Sequence, residues 1–253
     1  MLLLIDIGNT NTTIGFHYEG EIKHVLRLKT IIDGRGADEY SYIISGFMNK
    51  QNMENAAGAV LCSVVPEVTP LLTDAVKINF DIDPVTVHHS IKTGLKFLIK
   101  NAGSLGADRI ANAVAAHTLY KGDVIVVDFG TATTFCVITE KGEYTGGAIM
   151  PGIALSVRAL AEHTAALPLI GLKAPESILG KTTEENMRSG VIRGHAGAVE
   201  AIIGEIKIET GKACRVLATG GLADVVKSYV KTIDYFNPLL TLEGLKCIYE
   251  LNR

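Results

Sequence analysis

The sequence is short of several features that would place it in a specialised class of protein. It has no tryptophan, and its 24 basic and 27 acidic residues nearly cancel, so it lacks the positive charge that attracts nucleic acid. It also lacks long hydrophobic runs: residues 1–5 form one of the longest, whereas a membrane-spanning helix needs about 20 apolar residues. Residues 1–5 carry no basic flank of the kind a signal peptide has. We therefore expect no nucleic-acid partner, no membrane association and a cytoplasmic location.

The cysteines are too scattered to form a metal or redox motif. The four of them include no C-x-x-C pair, and none has a histidine at zinc-finger spacing. Three lie in or beside apolar, strand-like runs, which predicts buried free thiols at Cys62, Cys136 and Cys214. A chain without a disulfide framework suits a reducing compartment.

Glycine and aliphatic residues are abundant. The chain has 26 glycines among 253 residues, 47% hydrophobic residues and a mean hydropathy of +0.27, which supplies enough material for a buried core. Apolar β-branched runs alternate with longer amphipathic stretches, a pattern typical of an α/β fold. The predicted strands are 2–6, 12–17, 21–28, 59–64, 83–87, 124–128, 134–139, 143–149 and 215–219. The predicted helices are 37–50, 66–79, 108–121, 153–165, 183–209, 222–230 and 238–251.

One segment of the sequence recurs 122 residues later. Residues 3–10 read LLIDIGNT and residues 125–132 read IVVDFGTA. The pairs that match without a gap are Asp6 with Asp128, Gly8 with Gly130, Thr12 with Thr134, Gly20 with Gly142 and Glu21 with Glu143. Each copy predicts three strands joined by tight turns. The repeat indicates two copies of one βββ unit with a cleft between them.

The repeated turn has the chemistry of a phosphate-binding segment. A strand that ends in Asp-x-Gly and returns through Thr and Asn residues exposes backbone N–H groups where no Cβ blocks a phosphate. The carboxylate at the strand end can hold a hydrated magnesium ion together with phosphate oxygens. The alternative is that both segments are ordinary Asp-Gly hairpin turns. That explanation would suit a single copy, but it accounts less well for two copies whose strands also match.

Four motifs together resemble one protein family. They are Asp6-Ile-Gly-Asn-Thr10, Gly106-Ala-Asp-Arg109, Asp128-Phe-Gly-Thr-Ala-Thr-Thr134 and Gly146-Gly-Ala-Ile-Met-Pro-Gly152. Each is weak alone, but their order and spacing over residues 2–223 are similar to type III pantothenate kinase. This family phosphorylates pantothenate with ATP to 4'-phosphopantothenate, the first step of coenzyme A biosynthesis.

The resemblance implies a fold and a division of the chain. The expected fold is that of acetate and sugar kinases, Hsp70 and actin: α/β, with duplicated ribonuclease H-like (actin-like ATPase) domains. Each domain is expected to be a mixed sheet flanked by helices, with a cleft between the two. The N-terminal subdomain is expected over residues 1–117 and the C-terminal subdomain over residues 118–253.

The resemblance also implies which residues bind ATP and cations. Asp6 would organise the magnesium ion that accompanies ATP, and Asp128 is similar to the family's ligand for a monovalent cation, K⁺ or NH₄⁺. Residues 219–223 suit a segment beside adenosine, although a plain strand-to-helix turn is the alternative. The expected ATP contacts are Asp6, Ile7, Gly8, Asn9, Thr10, Asn11, Thr12, Thr13 and Thr131.

The pantothenate contacts implied by the resemblance are Gly106, Ala107, Asp108, Arg109 and Thr183. Asp108 would be the catalytic base that accepts the proton of the primary hydroxyl, and Arg109 would bind the substrate carboxylate. Asp108 also lies in the first turn of a predicted helix, where an acidic residue is stabilising for the helix alone. Since that position favours the ionised carboxylate, we expect Asp108 to be a weak base, which phosphoryl transfer tolerates.

Two further segments have both a structural and a functional interpretation. Residues 146–152 form a strand–turn–helix junction that in the family borders the active site. Thr182 and Glu185 form a capping box, and the resemblance implies that the neighbouring Thr183 reaches pantothenate across a homodimer interface. Glycines within helix 183–209 permit close helix packing.

One stretch departs from the family's pattern. The family commonly has Tyr-x-Asn-Pro before the Gly106 motif, where this sequence has Ile99, Asn101 and Ala102. Because that tyrosine lines the pantothenate pocket, a kinase acting on a different small hydroxy acid is an alternative. A non-catalytic ATP-binding regulator is another, since related proteins have been named accessory factors of transcription. The intact set Asp6, Asp108, Arg109 and Asp128 argues against the regulator.

Overall fold

The computed structural model describes all residues from Met1 to Arg253, and it confirms the predicted alternation of strands and helices. The strands are β1 Leu2–Ile7, β2 Asn11–Tyr18, β3 Glu21–Lys29, β4 Gly58–Ser63, β5 Val85–Thr86, β6 Lys96–Phe97, β7 Val124–Phe129, β8 Ala132–Ile138, β9 Glu143–Pro151, β10 Arg215–Thr219 and β11 Tyr235–Phe236. The helices are α1 Ala37–Lys50, α2 Thr69–Phe80, α3 Ala107–Leu119, α4 Ile153–Glu162, α5 Thr183–Thr210, α6 Ala223–Val226 and α7 Leu240–Asn252. The sequence did not predict β6, β11 or a 3₁₀ turn over Ala102–Ser104. None of the helices is long and apolar enough to span a membrane.

The chain folds into two compact units. Unit 1 comprises residues 1–95, 99–118 and 240–253, and unit 2 comprises residues 96–98 and 119–239. The expected C-terminal subdomain included the last helix, but the structure places α7 in unit 1. There, Thr241 donates a hydrogen bond to Asn112 of α3 (2.8 Å), and Asn252 donates one to the Lys92 carbonyl (2.8 Å).

The two units contain mixed sheets of the same design, as the repeat predicts. The sheet of unit 1 has the strand order β3-β2-β1-β4-β5, and that of unit 2 has β9-β8-β7-β10-β11, with β6 added beside β9. In each sheet the first three strands of the copy are antiparallel, and the next two run parallel to the first. A mixed sheet flanked by helices is therefore confirmed for each unit.

When the two copies are compared by their strand pairing, the match between them contains a gap of one residue. Asp6 pairs with Thr13 across the β1–β2 ladder, whereas Asp128 pairs with Thr134 across the β7–β8 ladder. The second turn is thus one residue shorter, so Thr134 corresponds to Thr13 and not to Thr12. The following turn restores the match: Tyr18 pairs with Glu21, whereas the Thr139 N–H donates to the Glu143 carbonyl, so the β8–β9 turn is one residue longer than the β2–β3 turn.

Each unit has its own hydrophobic core built on the central strand. Leu3, Leu4 and Ile5 of β1 are all completely buried, and in β7 Ile125 and Val127 are completely buried with Val126 between them only 1% exposed. Consecutive buried residues mean that both faces of the strand are covered, as expected for a central strand flanked by helices. Packing in the two cores therefore fixes the ends of β1 and β7, where the two repeated turns begin.

Candidate active site

The first repeated turn joins β1 to β2 at Gly8–Thr10. The Gly8 N–H donates to the Asn11 carbonyl (3.0 Å), which closes the turn, so this N–H is used within the chain. Asn9, Thr10 and Asn11 are exposed. Thr12 differs from them because it is completely buried, and its hydroxyl lies 3.0 Å from that of Thr30. We therefore assign the Thr12 side chain to the support of the turn.

Asp6 lies at the end of β1 beside a buried thiol. Because β1 and β4 are parallel with Asp6 opposite Cys62, the thiol can donate a hydrogen bond to Asp6 Oδ1 (3.3 Å). Burial, followed by the charges of Asp6 and Asp108, raises the pKa of the Cys62 thiol well above its ordinary value of 9.0. The thiol therefore stays protonated and remains a donor.

Asp108 lies in the first turn of α3, as predicted, next to a glycine that leaves it room. Its Oδ1 accepts a hydrogen bond from the Arg109 N–H (2.8 Å). A Cβ built on Gly106 would lie 2.4 Å from the same oxygen. Gly106 thus permits the carboxylate to occupy its position, which gives the Gly-Ala-Asp-Arg spacing a physical reason.

The expectation that Asp108 is a weak base is wrong. Burial raises the pKa of this carboxyl above its ordinary value of 3.8, and the Arg109 N–H and the Arg109 charge only partly oppose that rise. The helix N-terminus favours the ionised form, as the sequence argument held, but loss of water around the carboxyl outweighs it. Asp108 is therefore a stronger proton acceptor than an exposed aspartate.

Asp128 occupies the corresponding strand end in unit 2, and a glycine segment packs against it. Because β7 and β10 are parallel with Asp128 opposite Thr219, the chain after β10 passes directly beside the carboxylate. A Cβ on Gly220 would lie 2.5 Å from Asp128 Oδ1, and Gly220 has φ +95°. The Leu222 N–H donates to the Phe129 carbonyl (3.2 Å). Residues 219–223 therefore contact the second repeated turn.

The junction between β9 and α4 also packs against the second turn. The Gly152 N–H donates to the Thr131 carbonyl (3.2 Å), and a Cβ on Gly152 would lie 2.3 Å from that oxygen. The predicted segment 146–152 is thus an extension of β9 that ends at the helix N-cap, with its last residue beside Thr131. Unit 2 brings Asp128, Thr131 and the glycines of two distant segments together.

A buried histidine that the sequence did not predict as part of the site contacts the strand that follows the second turn. His195 of α5 is 6% exposed, and its Nε2 lies 2.9 Å from the Thr133 hydroxyl. Burial lowers the pKa of His195 below its ordinary value of 6.5. The imidazole is therefore neutral at pH 7. No local pattern identifies it, because Thr133 and His195 are 62 residues apart.

We expect His195 to make the folded protein sensitive to mild acid. Below pH 6.5 His195 is protonated in the unfolded chain, whereas in the folded chain its lowered pKa keeps it neutral to a lower pH. The free energy of unfolding therefore decreases as the pH falls. His195→Gln should reduce the loss of melting temperature between about pH 7.5 and pH 5.5. Thermal melts across that range measure the effect, with the exposed His163→Gln as control. An unchanged pH dependence in His195→Gln would contradict it.

Thr183 is exposed and is the first residue of α5. Half of the predicted capping box is present: the Thr182 hydroxyl accepts from the Glu185 N–H (3.2 Å), but the Glu185 carboxylate accepts from the Lys181 N–H (2.7 Å) and not from that of Thr182. Because Thr182 and Glu185 make the hydrogen bonds that begin α5, the Thr183 side chain is not needed to cap the helix.

The stretch that departs from the family's pattern keeps a defined conformation. The Asn101 side chain accepts a hydrogen bond from the Gly103 N–H (3.1 Å) and caps the 3₁₀ turn that begins at Ala102. The first position of a helical turn is where proline is tolerated, so alanine there preserves the same turn. Ile99 is half-buried. The 3₁₀ turn therefore forms although Ile99 and Ala102 replace the family's tyrosine and proline. The difference that affects the site is the absence of the tyrosine side chain at position 99.

The predicted residues cluster within each unit. In unit 1, Asp6 and Asp108 both act electrostatically on Cys62, which places the two carboxylates near one thiol. In unit 2, Asp128 and Thr131 share the second turn. No group of three or more His, Cys, Asp or Glu side chains could hold a metal ion by itself, so a cation here would need further oxygen ligands. All four cysteines are buried and free, which confirms the prediction for Cys62, Cys136 and Cys214.

Comparison with known proteins agrees with this chemistry. The family model described as type III pantothenate kinase matches residues 2–205. A type III pantothenate kinase from Exiguobacterium sp. is 42% identical over 255 residues, covering 100% of both chains. Among solved structures, a Baf family transcriptional activator from Campylobacter jejuni has a TM-score of 0.61 and 22% identity, covering 98% of this chain and 97% of that one. A ROK family glucokinase from Streptomyces griseus has a TM-score of 0.56 and 15% identity, covering 100% and 99%.

The structural neighbours establish the fold alone because their identities are low. They confirm the expected α/β architecture of actin-like sugar kinases, with two mixed sheets. Two findings go further: the family model covers residues 2–205, and the relative from Exiguobacterium sp. is 42% identical over the whole chain. The chain belongs to the type III pantothenate kinase family.

Proposed function

We propose that this chain transfers the γ-phosphoryl group of ATP to the terminal hydroxyl of pantothenate, giving 4'-phosphopantothenate for coenzyme A biosynthesis. The observation that carries the proposal is Asp108, a half-buried carboxylate with a raised pKa that is followed by an arginine in the family's Gly-Ala-Asp-Arg motif. A base beside a carboxylate-binding cation suits an acceptor that is both an alcohol and an acid.

The nucleotide contacts are proposed from the two repeated turns. In unit 1 the segment Asp6–Thr13 would bind the ATP phosphates, with exposed Asn9, Thr10 and Asn11 as its accessible part. In unit 2 Thr131 would contact a phosphate oxygen. Magnesium would be held by ATP and by Asp6, whose Oδ1 accepts the Cys62 thiol hydrogen bond. The magnesium ion would neutralise charge on the β- and γ-phosphates.

A monovalent cation, K⁺ or NH₄⁺, is proposed at Asp128. The carboxylate supplies the oxygen ligand that hard cations prefer, and the backbone at Gly220 packs so closely against it that a Cβ there would lie 2.5 Å from Oδ1. The same glycine segment would border the adenosine.

The acceptor is proposed to be bound by Gly106, Ala107, Asp108 and Arg109. Arg109 would hold the pantothenate carboxylate, and Asp108 would accept the proton of the attacking hydroxyl. In a loose phosphoryl-transfer transition state the proton leaves late, so the base chiefly aligns the oxygen. Its raised pKa strengthens the hydrogen bond that it accepts from that hydroxyl.

A homodimer in which the partner subunit's Thr183 completes the pantothenate site is also proposed. Thr183 is exposed, and a Cβ on Gly190, Gly194 or Gly197 of α5 would meet no atom within 4 Å in this chain. Packing within the chain therefore gives no reason for these glycines, whereas a close helix contact between subunits would. A cytoplasmic location is our expectation from the free, buried thiols.

A coupled ADP-release assay tests the proposal. We expect turnover that requires pantothenate and is faster with K⁺ or NH₄⁺ than with Na⁺ as the only monovalent cation. Turnover with another small hydroxy acid but not with pantothenate would overturn the acceptor. ATP binding without turnover would favour a regulator and overturn the kinase assignment.

A further inference from the structure

Thr30 is placed to control the first repeated turn from a distant part of the chain. It follows β3 directly, 22 residues from Gly8, and is 8% exposed. Because β2 and β3 pair with Asn11 opposite Lys29, the residue after β3 comes to lie beside the turn. Its N–H donates to the Thr10 carbonyl at 3.0 Å.

The Thr30 hydroxyl makes two further contacts with the turn. It donates to the Gly8 carbonyl at 2.7 Å, and it lies 3.0 Å from the Thr12 hydroxyl. A hydroxyl has a single proton, so the Thr12 hydroxyl must donate to Thr30. One side chain and one N–H thus connect Thr30 to three of the five residues from Gly8 to Thr12.

These contacts determine where the amides of the turn point. The chain has no cis peptide bonds, so each N–H is directed opposite to the carbonyl of the same peptide unit. Since the Gly8 and Thr10 carbonyls face Thr30, the N–H groups of Asn9 and Asn11 face away from it. Backbone amides that converge in a turn can form a concave anion site, and the orientation of these two peptide units is set by Thr30.

Packing does little to maintain this arrangement. Asn9, Thr10 and Asn11 are exposed, so hydrogen bonds must hold their peptide planes. We propose that Thr30 is a positioning residue that orients the Gly8–Thr12 turn to receive the ATP phosphates, and this rests on the function proposed for that turn. Thr30 itself would not touch ATP, because its hydroxyl is committed to Gly8 and Thr12.

Three variants test Thr30. Thr30→Val keeps the β-branched shape and the backbone N–H but removes the hydroxyl, whereas Thr30→Ser retains the hydroxyl. Thr139→Val is the matched control: Thr139 is 6% exposed, and its hydroxyl accepts from the Glu143 N–H in the β8–β9 turn, away from the phosphate segment. For each variant the melting temperature, the dissociation constant for MgADP by calorimetry, and kcat and both KM values are measured.

We expect Thr30→Val to raise the MgADP dissociation constant and the KM for ATP about tenfold, with the KM for pantothenate changed less than about twofold. Thr30→Ser should restore nucleotide affinity, and Thr139→Val should leave it unchanged. Wild-type affinity for MgADP in Thr30→Val would overturn the proposal. A parallel rise in both KM values with a fall in melting temperature would do the same, since it would show a merely structural role. Nucleotide calorimetry needs no pantothenate, so failure of the acceptor assignment is seen separately, in the ADP-release assay.

Discussion

Asp108→Asn should lower kcat by a factor of about 10²–10⁴, the usual loss when a positioned acid–base group is removed. Asparagine keeps the size of the side chain and the oxygen that accepts from the Arg109 N–H, but it cannot take a proton. Because burial disfavours the charge at this position, removing it should leave the melting temperature close to that of the wild type. Nucleotide affinity should also be unchanged, since ATP is assigned to other residues.

The same residue should determine the acid side of the pH profile. Asp108 must be deprotonated to act, and its pKa lies above 3.8, so kcat/KM should begin to fall at a higher pH than an ordinary aspartate would cause. In Asp108→Asn the residual rate should lose this acid limb. Initial rates over a series of buffers measure both effects.

Asp38→Asn is the matched control for Asp108. Asp38 also lies in the first turn of a helix, α1, but it is exposed. A helix-capping role alone would make the two substitutions equivalent. Near-wild-type kcat in Asp108→Asn, or equal losses in both variants, would refute the catalytic assignment.

Gly220→Ala should damage both stability and activity. An alanine at φ +95° costs about 1–3 kcal/mol in backbone strain, and its Cβ would overlap Asp128 Oδ1 and the Phe129 backbone nitrogen at 2.5 and 2.6 Å. Those atoms belong to a central strand and cannot move freely. We expect a lower free energy of unfolding, a weaker response to K⁺ and a higher KM for ATP, because the carboxylate is displaced.

Gly221→Ala provides a control one residue away. A Cβ on Gly221 meets no atom within 4 Å, so its effect on the free energy of unfolding should stay within about 0.5 kcal/mol. Calorimetric melts and K⁺ titrations of Gly220→Ala and Gly221→Ala compare the effects of the two substitutions on stability and on the response to K⁺. Equal behaviour of the pair would show that close packing against Asp128 is not what Gly220 provides.

The duplicated sheet was predictable because its signal is local and repeated. The segments around Asp6 and Asp128 each contain a buried strand, an acidic end and a glycine turn, and the structure gives both copies the same strand order. The one-residue difference between the turns was not predictable, since an ungapped match conceals a deletion that the longer β8–β9 turn offsets. Two-residue strands such as β6 and β11 are too short to leave a periodic pattern.

Long-range contacts explain what else the sequence missed. The apolar face of α7 predicts burial but not its location, and only contacts with residues such as Asn112, 129 positions away, place it in unit 1. The support of the turns by Thr30 and His195 depends on pairs far apart in the chain. For Asp108, sequence position predicted the effect of the helix end but not the burial that outweighs it.

Phosphorus NMR of the chain with ATP, magnesium, K⁺ and pantothenate tests the central claim most directly, because it identifies the product. We expect a new phosphomonoester resonance that grows in equal amount with ADP and that grows at least about 10² times more slowly in Asp108→Asn. Release of inorganic phosphate in place of the phosphomonoester, or a phosphomonoester formed as fast by Asp108→Asn as by the wild type, would contradict it.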